Sequence, residues 1–281
     1  MEQYQLEESQ LTSFCEYLRE EEKSPGTVEK YARDVRTFFD WLKRRPVTKK
    51  VAFQWKEYLI NAQYAPVTIN SMIASVNQFF YFNGWAEYKI KPLKIQRKLF
   101  RGETKELTRE EYIRLLNTAK KLKKERLALL METICATGIR VSELRYITIE
   151  NLQKGRTEIS LKGKIRTILV PDKLARKLLK YAKRHKIAAG EIFITKNGKG
   201  IGRKQIWAEM KKLCKAAGVA ESKVFPHNLR HLFARSYYRV CRDIVKLADV
   251  LGHSSVETTR IYLLSTGQEH AKYLEHLGLV C

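Results

Sequence analysis

Between residues 24 and 42 the chain reads SPGTVEKYARDVRTFFDWL, with Val28, Tyr31, Ala32, Val35, Phe38, Phe39 and Leu42 at helical spacing. Ser24 or Thr27 is placed to cap this helix, and Pro25 suits its first turn, where a missing N–H costs nothing. The segment APVTINSMIASVNQFFYFNGW echoes it 41 residues later: Pro25 matches Pro66, Thr27 Thr68, Val35 Val76, and Phe38-Phe39 Phe79-Phe80. Two equivalent units of this kind predict a compact all-helical bundle, built from two helical pairs, over residues 1–90. Residues 91–106 lose the apolar period, carry Pro92 and Gly102, and read as a basic linker.

From residue 107 to residue 281 the pattern is mixed. LTREEYIRLLNTAKK opens a helix at Thr108 with Glu111 three residues on, a capping box. ERLALLMETICATG is apolar on most faces, predicts a buried helix, and ends at Gly138. TEISLKGKIRTILVP alternates apolar and polar positions on both sides of Lys162-Gly163-Lys164, which predicts strand, turn and strand. EIFIT reads as a further short strand, and helices fill the remainder. The expected fold is therefore mainly α with a small β-sheet, an α+β domain following an all-α one.

Composition adds a partner. Lys and Arg number 54 against 30 Asp and Glu, a net charge of +24, which calls for a polyanion such as nucleic acid. No stretch is apolar for long enough to span a bilayer, and MEQYQLEESQ is too acidic for a signal peptide. Cys15, Cys135, Cys214, Cys241 and Cys281 are scattered without a CxxC pair and read as reduced thiols of a cytoplasmic protein.

Chemistry concentrates in three places. TGIRVSEL puts Arg140 just after a glycine, at the opening of a helix, where its planar fork can grip a phosphate in two places. HNLRH places His227 and Arg230 three apart, on one helical face; Leu229, Leu232 and Phe233 point to the core, and His231 reads as structural, on another side. LGHSSVETTRIY puts His253 in a tight turn, with Gly252 ending one helix and Ser254 or Ser255 capping the next. Tyr262 follows two turns later. Singly, each residue has a plain structural reading: a surface arginine, a satisfied histidine, a packed tyrosine. Together they match what phosphodiester cleavage without a metal requires: a nucleophile, positive charge for the non-bridging oxygens, and proton donors. No acidic cluster suits magnesium, no HExxH suits zinc, and no GxxxxGK[ST] suits ATP, so neither cofactor nor metal is expected.

These blocks, TGIR-x-SEL, HNLRH-x-FA and LGHSSVETTRIY, in this order, resemble those of the tyrosine recombinases, the phage-integrase and Xer-type family, over roughly residues 107–265. The helical N-terminal part is similar to that family's SAM-like core-binding domain, and the resemblance implies a C-shaped clamp on duplex DNA. It further implies that Tyr262 is the nucleophile of a 3′-phosphotyrosine bond. Arg140 and Arg230 would clamp the scissile phosphate, His227 would assist proton transfer at the tyrosine, and His253 would bind a phosphate oxygen. The family's general acid is a hairpin lysine. Lys162, which precedes a glycine as in the family, is the choice, and Lys164 is the alternative. The implied partners are double-stranded DNA with paired half-sites and three further copies of the chain, a homotetramer on two sites, with no membrane and no small-molecule substrate. No arm-binding domain is expected ahead of the helical part. The apolar end, Leu279-Val280-Cys281, is expected to dock on a neighbouring protomer about a hinge at Gly267. A type IB topoisomerase-like relaxase and a non-catalytic basic DNA-binding protein are the alternative readings.

Overall fold

The computed structural model describes residues 6–95, 106–154, 156–161, 164–263 and 275–276. Lys162, most of the linker, Cys281 and the Gly267 hinge with its apolar end fall outside them. The chain divides into two units, Met1–Arg97 and Lys98–Cys281.

Among the described residues the first unit holds four α-helices, α1 (Glu8–Glu20), α2 (Pro25–Leu42), α3 (Lys49–Asn61) and α4 (Pro66–Phe82). Pro25 and Pro66 each stand in the first turn of their helix. The Ser24 hydroxyl meets that of Thr27 at 2.8 Å and caps no backbone N–H. Thr48 caps α3, accepting from the Val51 N–H at 3.2 Å. The 41-residue echo has a structural counterpart, because α2 and α4 pack on each other through reciprocal contacts. Phe38 packs edge-on to Phe80, and Phe39 edge-on to Phe79, both at 5.7 Å between centroids. Asp34 accepts a 2.9 Å hydrogen bond from Ser75, its own equivalent. Such reciprocal contacts are those of a pseudo-two-fold axis between the two helices.

The second unit is built around α6 (Glu125–Thr137), apolar on most sides as the sequence predicts. Against it lie α5 (Arg109–Lys121), α8 (Asp172–Arg184), α9 (Arg203–Ala217) and α10 (Pro226–Cys241). The α5 capping box forms: Thr108 accepts from the Glu111 N–H at 3.2 Å, and Glu111 accepts from the Thr108 N–H at 2.9 Å. A short α7 (Ile149–Gln153) leads into the antiparallel hairpin of β1 (Arg156–Leu161) and β2 (Lys164–Leu169). Its last described pair is Leu161 with Lys164. Two short helices, α11 (Ile244–Leu251) and α12 (Val256–Arg260), follow α10. Among the described residues no helix is long and apolar enough to cross a membrane.

EIFIT is not a strand of the sheet. Glu191 bridges to Thr148, and Ile194 to Gly200. The Ile192 N–H donates to the Ile147 carbonyl at 3.1 Å, and the Ile201 N–H to that of Phe193 at 2.9 Å. Two different segments thus satisfy this stretch, and the turn that bonds Gly198 to Thr195 ends it. Consecutive Ile192 and Phe193 are both buried, so the apolar run reflects burial on two sides rather than a paired strand.

Candidate active site

Arg140 does not open an α-helix. It precedes a 3-10 turn, Val141–Tyr146, because the buried Glu143 carboxylate folds back to accept the Arg140 N–H at 2.8 Å. The same carboxylate accepts from the Arg140 guanidinium at 2.9 Å. A further N–H of that guanidinium reaches the Gly252 carbonyl at 3.3 Å. The Arg140 side chain stays 42% exposed, so its outer edge is open to a ligand.

Arg230 projects from α10 into the interior and is buried. It donates to the Gly138 carbonyl, to the Leu251 carbonyl at 2.7 Å, and to His253 Nε2 at 2.9 Å. One side chain thus ties together the end of α6, the end of α11 and the turn after it. Gly138 makes this approach possible: its φ is +64°, and a Cβ there would stand 2.4 Å from Phe233 Cδ1. Burial lowers the Arg230 pKa and Arg140 lowers it further, while Tyr262 and Glu143 oppose the shift.

A guanidinium only donates, so His253 Nε2 is the acceptor in that pair. The proton of the neutral ring therefore sits on Nδ1, which donates to the Thr259 hydroxyl at 2.8 Å. Burial pushes the His253 pKa down to about 4, helped by Arg230, Arg140, Arg166 and His227. The imidazole is neutral at neutral pH.

Tyr262 lies two residues past α12, not within a helix, and Ser255 caps α12 by accepting from the Glu257 N–H at 3.2 Å. The Tyr262 ring is buried, among Ala234, Leu247 and Leu251 on its apolar side. Its other neighbours are imidazoles. His253 stacks on it at 5.6 Å with 13° between planes, His231 sits 4.3 Å away and His227 5.7 Å. His231 is thus not on another side from His227. Four residues on a helix return to nearly the same face, and the two rings meet edge to face at 4.6 Å.

Five of the six expected residues therefore converge; Lys162 lies outside the described residues, and Lys164 opens β2. Three residues of the site were not singled out from the sequence. Glu143 stands inside the TGIR-x-SEL block, and its position three residues after Arg140 was the available signal. Thr259 carried none. Arg166 occupies β2 opposite Ile159, on the face that also buries Thr157 and Ile168; a charged residue on the apolar side of an alternating strand was its signal. A cavity of about 780 Å³ opens over the cluster, lined by Arg140, Arg145, Arg166, Arg203 and His253. Its wall holds four arginines and one carboxylate, that of Glu143. The surplus positive charge suits a phosphodiester, whose negative charge grows as an attacking oxygen adds to phosphorus.

The chain matches the family model of the Phage integrase family over residues 105–269. It also matches that of the Phage integrase, N-terminal SAM-like domain over residues 11–87. Tyrosine recombinase XerA of Pyrococcus furiosus is 30% identical over 290 residues, which cover 100% of this chain and 98% of that protein. The fold is similar to that of XerH site-specific recombinase bound to difH substrate, with a TM-score of 0.69 and 20% identity over 95% of this chain and 84% of that one. It is also similar to a lambda integrase tetramer bound to a Holliday junction, with a TM-score of 0.72 and 18% identity over 90% and 76% of the two chains. With both units matched and the three blocks folded into one cluster, the chain belongs to the phage integrase family of tyrosine recombinases.

Proposed function

We propose that this recombinase cuts and rejoins duplex DNA at specific sites with Tyr262 as its nucleophile. The Tyr262 oxygen attacks the scissile phosphorus, and the bond to the 5′-oxygen breaks as the bond to tyrosine forms. The tyrosine proton passes to His227, and Lys162 supplies the proton that the leaving 5′-oxygen takes up. Arg140 and Arg230 neutralise the non-bridging oxygens, and His253 binds one of them. Attack by the 5′-hydroxyl of a partner strand reverses the same steps. The phosphotyrosine ester keeps the energy of the original bond, so rejoining needs no nucleotide hydrolysis. Residues 1–90 form the core-binding domain, 91–106 the linker and 107–281 the catalytic domain. Four copies act on two sites with paired half-sites, in the cytoplasm; support for this assembly comes from the relative described as a tetramer on a Holliday junction.

The observation that carries the reading is the position of Tyr262, seated against His227 and His253 in the cluster that holds Arg230. The test is covalent trapping on a nicked suicide substrate whose 5′-hydroxyl fragment diffuses away. Wild-type protein should accumulate an adduct, and Tyr262→Phe should bind the DNA equally well and form none. Adduct formation by Tyr262→Phe would reassign the nucleophile. Relaxation of plasmid lacking any recognition site would favour the relaxase reading.

A further inference from the structure

Arg166 belongs to none of the three blocks, yet it touches two of them. It donates to both oxygens of Glu143, at 3.2 and 3.5 Å, and to the Val250 carbonyl at 2.7 Å. Its stem passes under the turn that carries His253: a Cβ on Gly252 would lie 2.4 Å from Arg166 Cδ, and the φ of Gly252 is +63°. The contacts close into a ring. Arg140 is held by Glu143, Glu143 by Arg166, Arg166 by Val250, and Gly252, two residues on, accepts from Arg140.

Stability does not explain an arginine at this position. The inner face of the hairpin calls for an apolar residue, and Ile159 and Ile168 supply one on either side. Burying a guanidinium beside a carboxylate contributes little more than well-packed apolar residues would. Burial weakens its hold on its proton, with a pKa pushed down to about 10, Glu143 opposing and the other two arginines adding. Its Nε–H finds no acceptor among the described residues. A local rule broken at a cost beside a reactive centre marks a functional constraint. The constraint here is geometric: a carboxylate gripped from one side only could swing, and Arg140 would swing with it.

Resting on the function proposed above, we propose that Arg166 is a positioning residue for cleavage: it fixes Glu143, and through Glu143 the guanidinium of Arg140, while anchoring the turn that presents His253. It acts on the non-bridging side of the phosphate, not on the leaving oxygen. A lysine cannot serve, because only the fork reaches Glu143 and Val250 together.

The test uses the full chain with Arg166→Met and Arg166→Lys, half-site affinity, and single-turnover cleavage of three suicide substrates. The first is the ordinary phosphodiester. The second carries a methylphosphonate at the scissile position, which lacks the negative charge the arginines neutralise. The third carries a 5′-bridging phosphorothiolate, whose sulfur leaves with little help from an acid. Both variants should bind DNA within about threefold of wild type and cleave the phosphodiester about a hundredfold more slowly. On the methylphosphonate the deficit should shrink to within about tenfold, and on the phosphorothiolate it should persist. An equal deficit on all three substrates, with a lowered melting temperature, would make Arg166 a packing residue and end the assignment. So would rescue by the phosphorothiolate, or cleavage at the wild-type rate. If Arg166→Met does not fold, Arg166→Lys, which keeps the stem and the charge, decides the question on the same three substrates. Absence of any adduct from wild-type protein would instead sink the proposed function itself.

Discussion

In the first unit the fully buried side chains include Phe14, Phe38, Trp55, Phe79 and Phe80, and one carboxylate, Asp34, lies among them. In the second the core is mostly leucine and isoleucine, and Arg230, Glu143 and His231 are buried near it. The polar groups do different work. Asp34 is met by Lys30 at 2.6 Å, one turn away on its own helix, and by Ser75 on the pseudo-symmetric one; the contact sets the register of two helices. The buried charges of the second unit join segments far apart in sequence: Arg230 to Gly138 and Leu251, Arg140 to Gly252, Arg166 to Val250. Removing Asp34 would loosen a crossing, whereas removing Arg230 would break the ties of α10 to Gly138, Leu251 and His253 at once. Charge follows the same division. The lysines and arginines of Met1–Arg97 barely outnumber its acidic residues, so nearly all of the +24 falls on the second unit.

If the second unit's buried charges serve chemistry, Arg230→Ala should have the largest effect. Cleavage on a suicide substrate should fall about 10²–10³-fold, the usual cost of removing one preorganised charge donor. Stability should fall too, because the carbonyls of Gly138 and Leu251 lose their donor, at about 1–3 kcal/mol for each buried group left unpaired. A variant that unfolds earlier in urea but cleaves at the wild-type rate would break the comparison at its strongest point. Next in size is Lys162→Ala, which should slow cleavage about 10²-fold, the lower end of the range for loss of a general acid, and recover on a 5′-bridging phosphorothiolate. Lys164→Ala should stay near wild type; rescue at Lys164 instead would exchange the two lysines.

The first unit should respond in stability alone. Phe38→Ala and Phe79→Ala each remove a fully buried ring from equivalent positions, at about 3–5 kcal/mol. The pseudo-symmetry predicts equal losses, read from urea midpoints, and an unchanged single-turnover rate at saturating DNA. A marked inequality would mean that the echo relates sequence positions but not energetic roles.

What the sequence made legible was local. The α5 capping box, the stop at Gly138, the hairpin around residues 162 and 163 and the Pro25/Pro66 starts each depend on residues within a few positions, and each formed. The three blocks were also legible, because each is a short stretch of chain, although only HNLRH-x-FA lies within one helix. What stayed hidden depends on contacts across the fold. Nothing near Arg166 shows that Glu143 and Val250 meet it from 23 and 84 residues away. EIFIT looked like a strand because an apolar run does not show how many segments bury it. The four-residue spacing of His227 and His231 does carry their contact, since i and i+4 share a helical face.

The smallest expected effect lies at Thr259, which separates a buried polar group that only holds shape from one that must change partners. In the structure His253 Nε2 accepts from Arg230, and Nδ1–H donates to the Thr259 hydroxyl. To bind a phosphate oxygen, as proposed, His253 must carry its proton on Nε2, and then Nδ1 needs a donor. A hydroxyl can donate or accept, so Thr259 serves both tautomers. Valine has the same shape and serves neither. Thr259→Val should keep the fold, with cleavage lower by about 3–10-fold, the worth of one hydrogen bond near 1 kcal/mol. The pH dependence sharpens the test. A ring that takes up a proton at about 4 in the fold, and at about 6.5 when unfolded, is protonated first in the unfolded chain. Stability linked to His253 should therefore be full above about pH 6.5, decline as pH falls towards about 4, and level off below. His253→Gln should flatten that slope in urea titrations. Thr259→Val should keep it, because burial and the arginines cause the shift and the hydroxyl does not. The same slope in wild type and His253→Gln would show that another group titrates there, and the tautomer argument for Thr259 would lose its neutral imidazole.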